Sequence, residues 1–357
     1  MAGCARSEVV ALDEVGVFHC WNRCVRRAFL CGVDPITGNN FDYRREWIRC
    51  GEETLASLFA IEVGFRSEMS NHLHVILRIR PDVVCHWSDE DVVRRWLTVS
   101  CLAKSPDGKP REPDANRIAQ ELSKPGRCDK LRKRLTNPSW FMGVLCELIA
   151  RRCNREDECT GCFWEDRFKC RQLLDEASIL VCGIYVDLNP IRAGEVLTPE
   201  SARHTSAYDR ILTKQQLGYL ESGGTNKSIA GFLPDGWMCE LTLDEHADLN
   251  DPSMTRSATK RRASDKGLLP ITLDKYLELL DASGRIVHSG KSGVIPSHLA
   301  PILERLGIRT AAWTDLVSGF DRMFGRIVGS AQRVSERAAA AGRRWYRGIT
   351  HCESAFG

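Results

Sequence analysis

The stretch SNHLHVILRIR, residues 70–80, constrains the fold more than any other part of the chain. It is rich in β-formers, and in a strand successive side chains point to opposite faces. Leu73, Val75, Leu77 and Ile79 therefore share one wholly apolar face, which reads as core. His72, His74, Ile76, Arg78 and Arg80 share the other. A strand built this way offers two imidazoles side by side, as ligands to a metal or donors to a phosphate. Two surface histidines on an open sheet are the plainer reading, and an isolated His-x-His does not separate the two.

The flanking segments place this strand in an α+β chain. VFHCWNRCV (17–25) reads as a strand, 41–60 as a helix, and 61–69 as a second strand, giving the order β, α, β, β. Residues 88–103 read as a helix with Ser88 as its N-cap and acids in the first turn. Residues 105–117 carry turn residues, 126–135 form a basic segment, and 139–156 read as a long amphipathic helix after Pro138. GCFWEDRFKCRQLL (161–174) reads as a strand or extended arm. The next segment, 175–189, is a helix with Ala177, Val181, Ile184 and Leu188 at helical spacing, stopped by Pro190 and Gly194.

On that helix Tyr185 and Asn189, four residues apart, are neighbours on one flank, so a phenol and a carboxamide project together. Asp187 is rotated about 200° from Tyr185 and reads as a surface carboxylate, with a metal-side acid as the alternative. A tyrosine on a helix, taken alone, is usually a packing residue. If this helix packs beside the His-x-His strand, the same phenol becomes a nucleophile candidate. With an ordinary pKa of about 10 it needs help to lose its proton. A cation held by His72, His74 and Asn189 would polarise a phosphate and stabilise charge on its oxygens. Such a donor set with open positions suits Mg²⁺ or Mn²⁺, and Mn²⁺ tolerates nitrogen better.

At 357 residues the chain is long enough for two domains. The division expected is a catalytic unit at 1–210, a turn-rich and partly basic linker at 211–267, and a helical region at 268–357. In that last region Trp313, Leu316, Val317, Phe320, Phe324 and Ile327 form one apolar stripe, read as core or a docking face. Fifty Lys plus Arg against 47 Asp plus Glu leave a net charge of +3, so any nucleic-acid surface must be local. No targeting segment or membrane-length apolar run is evident, and a cytoplasmic, nucleoid-associated protein without a membrane partner is expected. Sixteen cysteines then read as reduced thiols. Cys159 and Cys162, with Cys153 and Cys170 either side, leave a structural zinc as the alternative.

Five segments, in order, resemble the REP-associated tyrosine transposases of the HUH endonuclease class. FHCWNRCVRRAFL resembles the family's first strand, SNHLHVILR its His-hydrophobic-His signature and GCFWEDRFKC its GxxWxxRF segment. CGIYVDLNPIRAG resembles the tyrosine motif YxHxNPVRAG, and RHTSAYDR the segment that follows. The resemblance covers roughly residues 15–210. It implies a ferredoxin-like antiparallel sheet with helices. His72 and His74, with Asn189 as third ligand, would hold Mg²⁺ or Mn²⁺, and Tyr185 would attack single-stranded or hairpin-bearing DNA to leave a 5′-phosphotyrosine. The alternative is a DNA-binding protein of the same fold that has lost cleavage. Two departures stand out: Asp187 replaces the family's histidine, and 84–137 reads as an insertion able to contact DNA. Either a monomer or a homodimer is compatible with the class.

DNA contact needs basic groups along the backbone and rings that stack on bases. The candidates are Trp21 with Arg23, Arg26 and Arg27, then Trp164 with Arg167 and Lys169, and Arg192 at the end of the tyrosine helix. Lys130, Arg132, Lys133 and Arg134 form a further basic run. For each group a solvated basic face or a core tryptophan is the competing reading.

Overall fold

A computed structural model describes residues 13–25, 30–34, 37–102, 105, 108–221, 232–243, 256–288, 317, 320 and 323–356. The chain runs β1 (Gly16–Arg23), α1 (Arg44–Leu58), β2 (Ile61–Glu68), β3 (His72–Ile79), α2 (Pro81–Val84), α3 (Asp89–Leu102), α4 (Ala115–Leu122), α5 (Arg127–Leu135) and α6 (Pro138–Glu156). It continues with β4 (Lys169–Leu173), α7 (Glu176–Asp187), α8 (Asn189–Arg192), α9 (Ser206–Glu221), α10 (Leu273–His288), β5 (Ile327–Val328), α11 (Ala331–Ala340) and α12 (Ile349–Phe356). The strands form one open, mixed sheet in the order β2-β3-β1-β4-β5. All pairings are antiparallel except β4 with β5. This is an α+β architecture.

The alternation of β3 holds: Leu73, Val75, Leu77 and Ile79 are fully buried in one apolar layer with Ile48 and Leu55 of α1 and Phe141 and Leu145 of α6. Each such side chain contributes roughly 1.5–3 kcal/mol, an upper estimate because unfolded chains already bury some surface. Segment 84–137 supplies part of this layer through Val92, Val93, Leu131 and Leu135, so it is core rather than an appendage. Ser88 Oγ accepts from Asp91 N at 3.1 Å, as an N-cap for α3.

The opposite face of the sheet is covered too. Helix α7 crosses it, buried on every side from Ala177 to Asp187. Its N-terminus is fixed by Asp175, whose Oδ1 accepts from Ser178 N at 2.9 Å. Gly183 sets the approach: a Cβ there would fall 2.7–2.9 Å from three atoms of the Phe65 ring on β2. Glycine costs about 1 kcal/mol in a helix interior, a cost offset here by letting the helix lie directly on the strand.

Three sequence expectations are corrected. First, the described residues beyond 210 pack into the core beside α7 rather than standing apart from it. Helix α9 runs through 210, and Leu268, Leu269, Tyr276 and Leu280 share one apolar cluster with α7. The basic stretch 256–266 is exposed at 256 and 258–260 but clamped down around the buried Ala263 and Ser264. Glu62, fully buried, pairs with Arg78 at 2.6 Å and Arg80 at 3.2 Å. It also accepts from Ser264 Oγ at 2.6 Å, while Arg78 reaches the carbonyls of Lys266 and Gly267 at 2.6 Å each. A buried carboxylate needs such partners, and the chain folds back to supply them.

Second, the C-terminal region is not purely helical: Ile327 and Val328 form β5 alongside Gln172 and Leu173. Within the apolar stripe, Val317, Phe320, Phe324 and Ile327 are buried as core, while Trp313 and Leu316 lie outside the described residues. Third, Asp187 is not a surface carboxylate. It is fully buried, and its Oδ1 accepts from Ser206 Oγ at 2.5 Å and Ala207 N at 3.1 Å, capping α9, while Oδ2 accepts from Tyr276 at 2.6 Å. Burial raises its pKa, and these hydrogen bonds oppose the rise.

Candidate functional site

Strand register assembles the site. Across β3, β1 and β4, His74 pairs with Trp21 and Trp21 with Lys169. One row along, Ile76 pairs with His19 and His19 with Arg171, and at the other end His72 pairs with Arg23. Side chains in directly paired positions share a face. Two histidines of β3, one of β1, a tryptophan and three basic residues thus occupy the side of the sheet that α7 crosses.

Helix α7 brings Tyr185 onto this group. Its ring centroid lies 5.7 Å from that of His74 and 6.1 Å from that of His19, in edge-on contact with both. The His72 and His74 rings are 5.0 Å apart. Beyond the tyrosine, Leu188 joins α7 to α8, which begins at Asn189 and carries Arg192. The Arg192 guanidinium sits 5.1 Å over the Tyr185 ring and donates to the carbonyl of Val317. Phe320 closes the far side, 5.4 Å from Tyr185. The tyrosine is only 8% exposed, so its ring lies under a lid formed by Arg192 and Phe320.

The two histidines are held alike. His72 Nδ1 lies 2.5 Å from Asn71 Oδ1, and His74 Nδ1 lies 2.9 Å from His19 Nε2. With Nδ1 engaged in each ring, Nε2 is the nitrogen each would offer to a cation. Burial lowers the pKa of His74 well below the usual value, reinforced by neighbouring His19. His19 is lowered by burial and then by the positive charge of Arg171. Neutral imidazoles are the ligand form. Asn189 presents a buried Nδ2 with no hydrogen-bond partner among the described residues. Among those residues no group of three or more His, Cys, Asp or Glu side chains is arranged to hold a metal. Two imidazoles with a carboxamide oxygen would suit an open Mg²⁺ or Mn²⁺ site better than a closed zinc site.

The remaining sequence candidates fall in different places. Trp21 is half-buried, 4.9 Å from His19, with the Arg171 guanidinium 4.7 Å over its ring. Arg23 and Lys169 are exposed on the same side of the sheet. Arg26 and Arg27 lie outside the described residues. Trp164 belongs to the opposite layer, where its indole N–H donates to Cys146 O at 2.8 Å, and Arg167 is exposed nearby in sequence. In the basic run, Arg134 lies between the rings of Trp96 and Trp140, and Arg132 pairs with Asp89. The four cysteines do not gather: Cys153 is buried, Cys159 donates to Asn154 Oδ1, Cys162 is exposed, and Cys170 lies 3.7 Å from Cys20.

Sequence reasoning missed His19, Arg171 and Phe320. His19 and Arg171 were detectable in principle, since they share strand parity with Trp21 and Lys169. Nothing local marks Phe320 as a neighbour of Tyr185. A cavity of about 790 Å³ lined by Glu14, Gln172, Asp175, Arg333 and Arg337 opens elsewhere, and its lining includes none of the histidines. No family model, curated protein or solved structure matches the chain.

Proposed function

We propose that this protein is a single-tyrosine, metal-dependent endonuclease and transposase acting on single-stranded, hairpin-bearing DNA. The observation that carries the reading is the 5.7 Å approach of the Tyr185 ring to His74 across the α7–sheet interface. Two further features support it. The strand order β2-β3-β1-β4, with α1 and α6 together on one face, is that of a ferredoxin-like sheet, and the tyrosine helix follows β4 on the other face. Both histidines have Nδ1 within hydrogen-bond distance of another side chain.

In this reading Tyr185 Oη attacks a DNA phosphorus and the bond from phosphorus to the 3′ oxygen breaks. The result is a 5′-phosphotyrosine and a free 3′ hydroxyl. The proton lost by the phenol is matched by the one gained by the leaving oxygen, and attack by a 3′ hydroxyl on the phosphotyrosine rejoins a strand. His72, His74 and Asn189 would hold Mg²⁺ or Mn²⁺, which when bound supplies Lewis-acid polarisation of phosphate oxygens. Arg192 places a positive charge 5.1 Å over the phenol ring. Trp21, Arg23 and Lys169 line the approach for a base and its backbone.

A second reading, DNA binding without cleavage, draws on the burial of Tyr185 beneath Phe320. Incubation with labelled hairpin oligonucleotides and Mn²⁺ separates the two. A covalent protein–DNA adduct in the wild type that disappears in Tyr185→Phe and with chelator supports the enzyme. Retention of DNA with no adduct under any condition supports the binding module.

A further inference from the structure

We propose that His19 is the positioning residue for His74: its imidazole is the acceptor that holds the His74 ring with Nε2 turned to a bound divalent cation. This rests on the metal-site reading of His72 and His74 given above.

The argument starts from one short contact. His19 Nε2 and His74 Nδ1 are 2.9 Å apart, and the two rings are nearly parallel, at 15° with centroids 5.1 Å apart. His19 is fully buried and His74 is 2% exposed, so water has little access to substitute for either partner. A neutral imidazole carries one proton. If His74 gives Nε2 to a cation, its proton must sit on Nδ1, and His19 Nε2 accepts it. Asn71 Oδ1 does the same for His72. Each candidate ligand therefore has its own acceptor, from a loop residue in one case and a different strand in the other. Partners of this kind fix ring orientation and raise ligand basicity.

The surroundings keep His19 in place. Its ring stacks 4.9 Å from Trp21, and Phe320 approaches to 6.4 Å. Backbone pairing of His19 with Ile76 on one side and Arg171 on the other fixes its height on the sheet. The acceptor role also gives His19 Nδ1 the proton, and that atom is buried with no hydrogen-bond partner among the described residues. An unpaired N–H is a cost the fold accepts at this position, as is common where a polar group serves another residue's geometry.

The test compares wild type with His19→Phe, which keeps an aromatic ring between Trp21 and His74 but has no acceptor, and His19→Gln, whose Oε1 can accept. Mn²⁺ affinity is measured by electron paramagnetic resonance without DNA, beside thermal melting of each metal-free protein. The expected result is affinity weakened about 10–100-fold in His19→Phe and held within a few-fold in His19→Gln. Equal affinity in wild type and His19→Phe overturns the positioning role and leaves the metal site standing. Equal loss in both variants, tracking lowered melting temperatures, makes His19 a packing residue and overturns it as well. A wild-type protein that takes up no Mn²⁺ overturns the metal-centre reading itself, and the role of His19 falls with it.

Discussion

Tyr276 donates a 2.6 Å hydrogen bond to Asp187, and both side chains are fully buried. Two residues after the proposed nucleophile, α7 is thereby tied to α10 and, through Ser206 and Ala207, to α9. Tyr276→Phe removes one hydrogen bond to a buried acceptor and should lower unfolding free energy by about 1–3 kcal/mol in urea titration. Asp187→Ala strands the Tyr276 hydroxyl and the first turn of α9 as well, and should cost more. A neutral result for both would mean that the clamp does not hold the helix.

Glu62 pairs with both Arg78 and Arg80 on the buried side of β2 and β3, with Asp82 joining at the Arg80 end. Glu62→Ala leaves guanidinium groups buried without that partner and should cost about 3–5 kcal/mol. The same substitution leaves Ser264 held through Arg80 but no longer by Glu62, so limited proteolysis should cut within 256–266 faster than in the wild type.

The pH dependence has a definite sign. His19 and His74 have folded-state pKa values below the ordinary 6.5, so in acid the unfolded chain binds more protons than the folded one. Their contribution to stability is complete above about pH 6.5 and is lost as pH falls from there through the folded values. Melting temperature measured from pH 7.5 down to 5 should drop, and His19→Phe should flatten part of the drop. Buried Glu52 runs oppositely. Burial, aided by Glu68, raises its pKa well above the usual carboxylate range, so its contribution is present in acid and lost as pH rises through the folded value.

Phe320 lies 5.4 Å from Tyr185 and is fully buried. Phe320→Leu keeps most of the volume, at a cost of roughly 1.5 kcal/mol or less. It should raise the rate at which Tyr185 is nitrated by tetranitromethane, read by peptide mass spectrometry. An unchanged rate would show that Phe320 does not limit access.

Arg23 and Lys169 are exposed in adjacent rows at the His72 end of the histidine side of the sheet. If single-stranded DNA follows that face, replacing both by Ala should weaken binding at low salt. The logarithmic salt slope should fall by about 0.7 per lost phosphate contact. Fluorescence anisotropy at several salt concentrations reads this directly, and an unchanged slope would put the DNA elsewhere.

Much of this arrangement was legible in the chain because it depends on short periods. Parity along β3 sorted Leu73 from His74, and helical spacing placed Ala177, Val181, Ile184 and Leu188 in the core. What failed depended on partners far along the sequence. Helix rotation alone put Asp187 toward solvent, since nothing near it reveals that α9 and Tyr276 would arrive there. The stretch 256–266 has the composition of a solvated linker, and partners far along the chain hold it, Glu62 for Ser264 and Glu53 for Arg261. Strand β5 has two residues, too few for any alternation to show.

That last short strand also bears on how the molecule is made. Because Ile327 and Val328 pair beside β4, the edge of the sheet stays uncovered on the ribosome until residue 328 has emerged, more than 150 residues after β4. A fragment ending near 267 would therefore carry the histidines and the tyrosine yet leave a naked strand and the underside of α7 wet. It should partition into the insoluble fraction more than the 357-residue chain does.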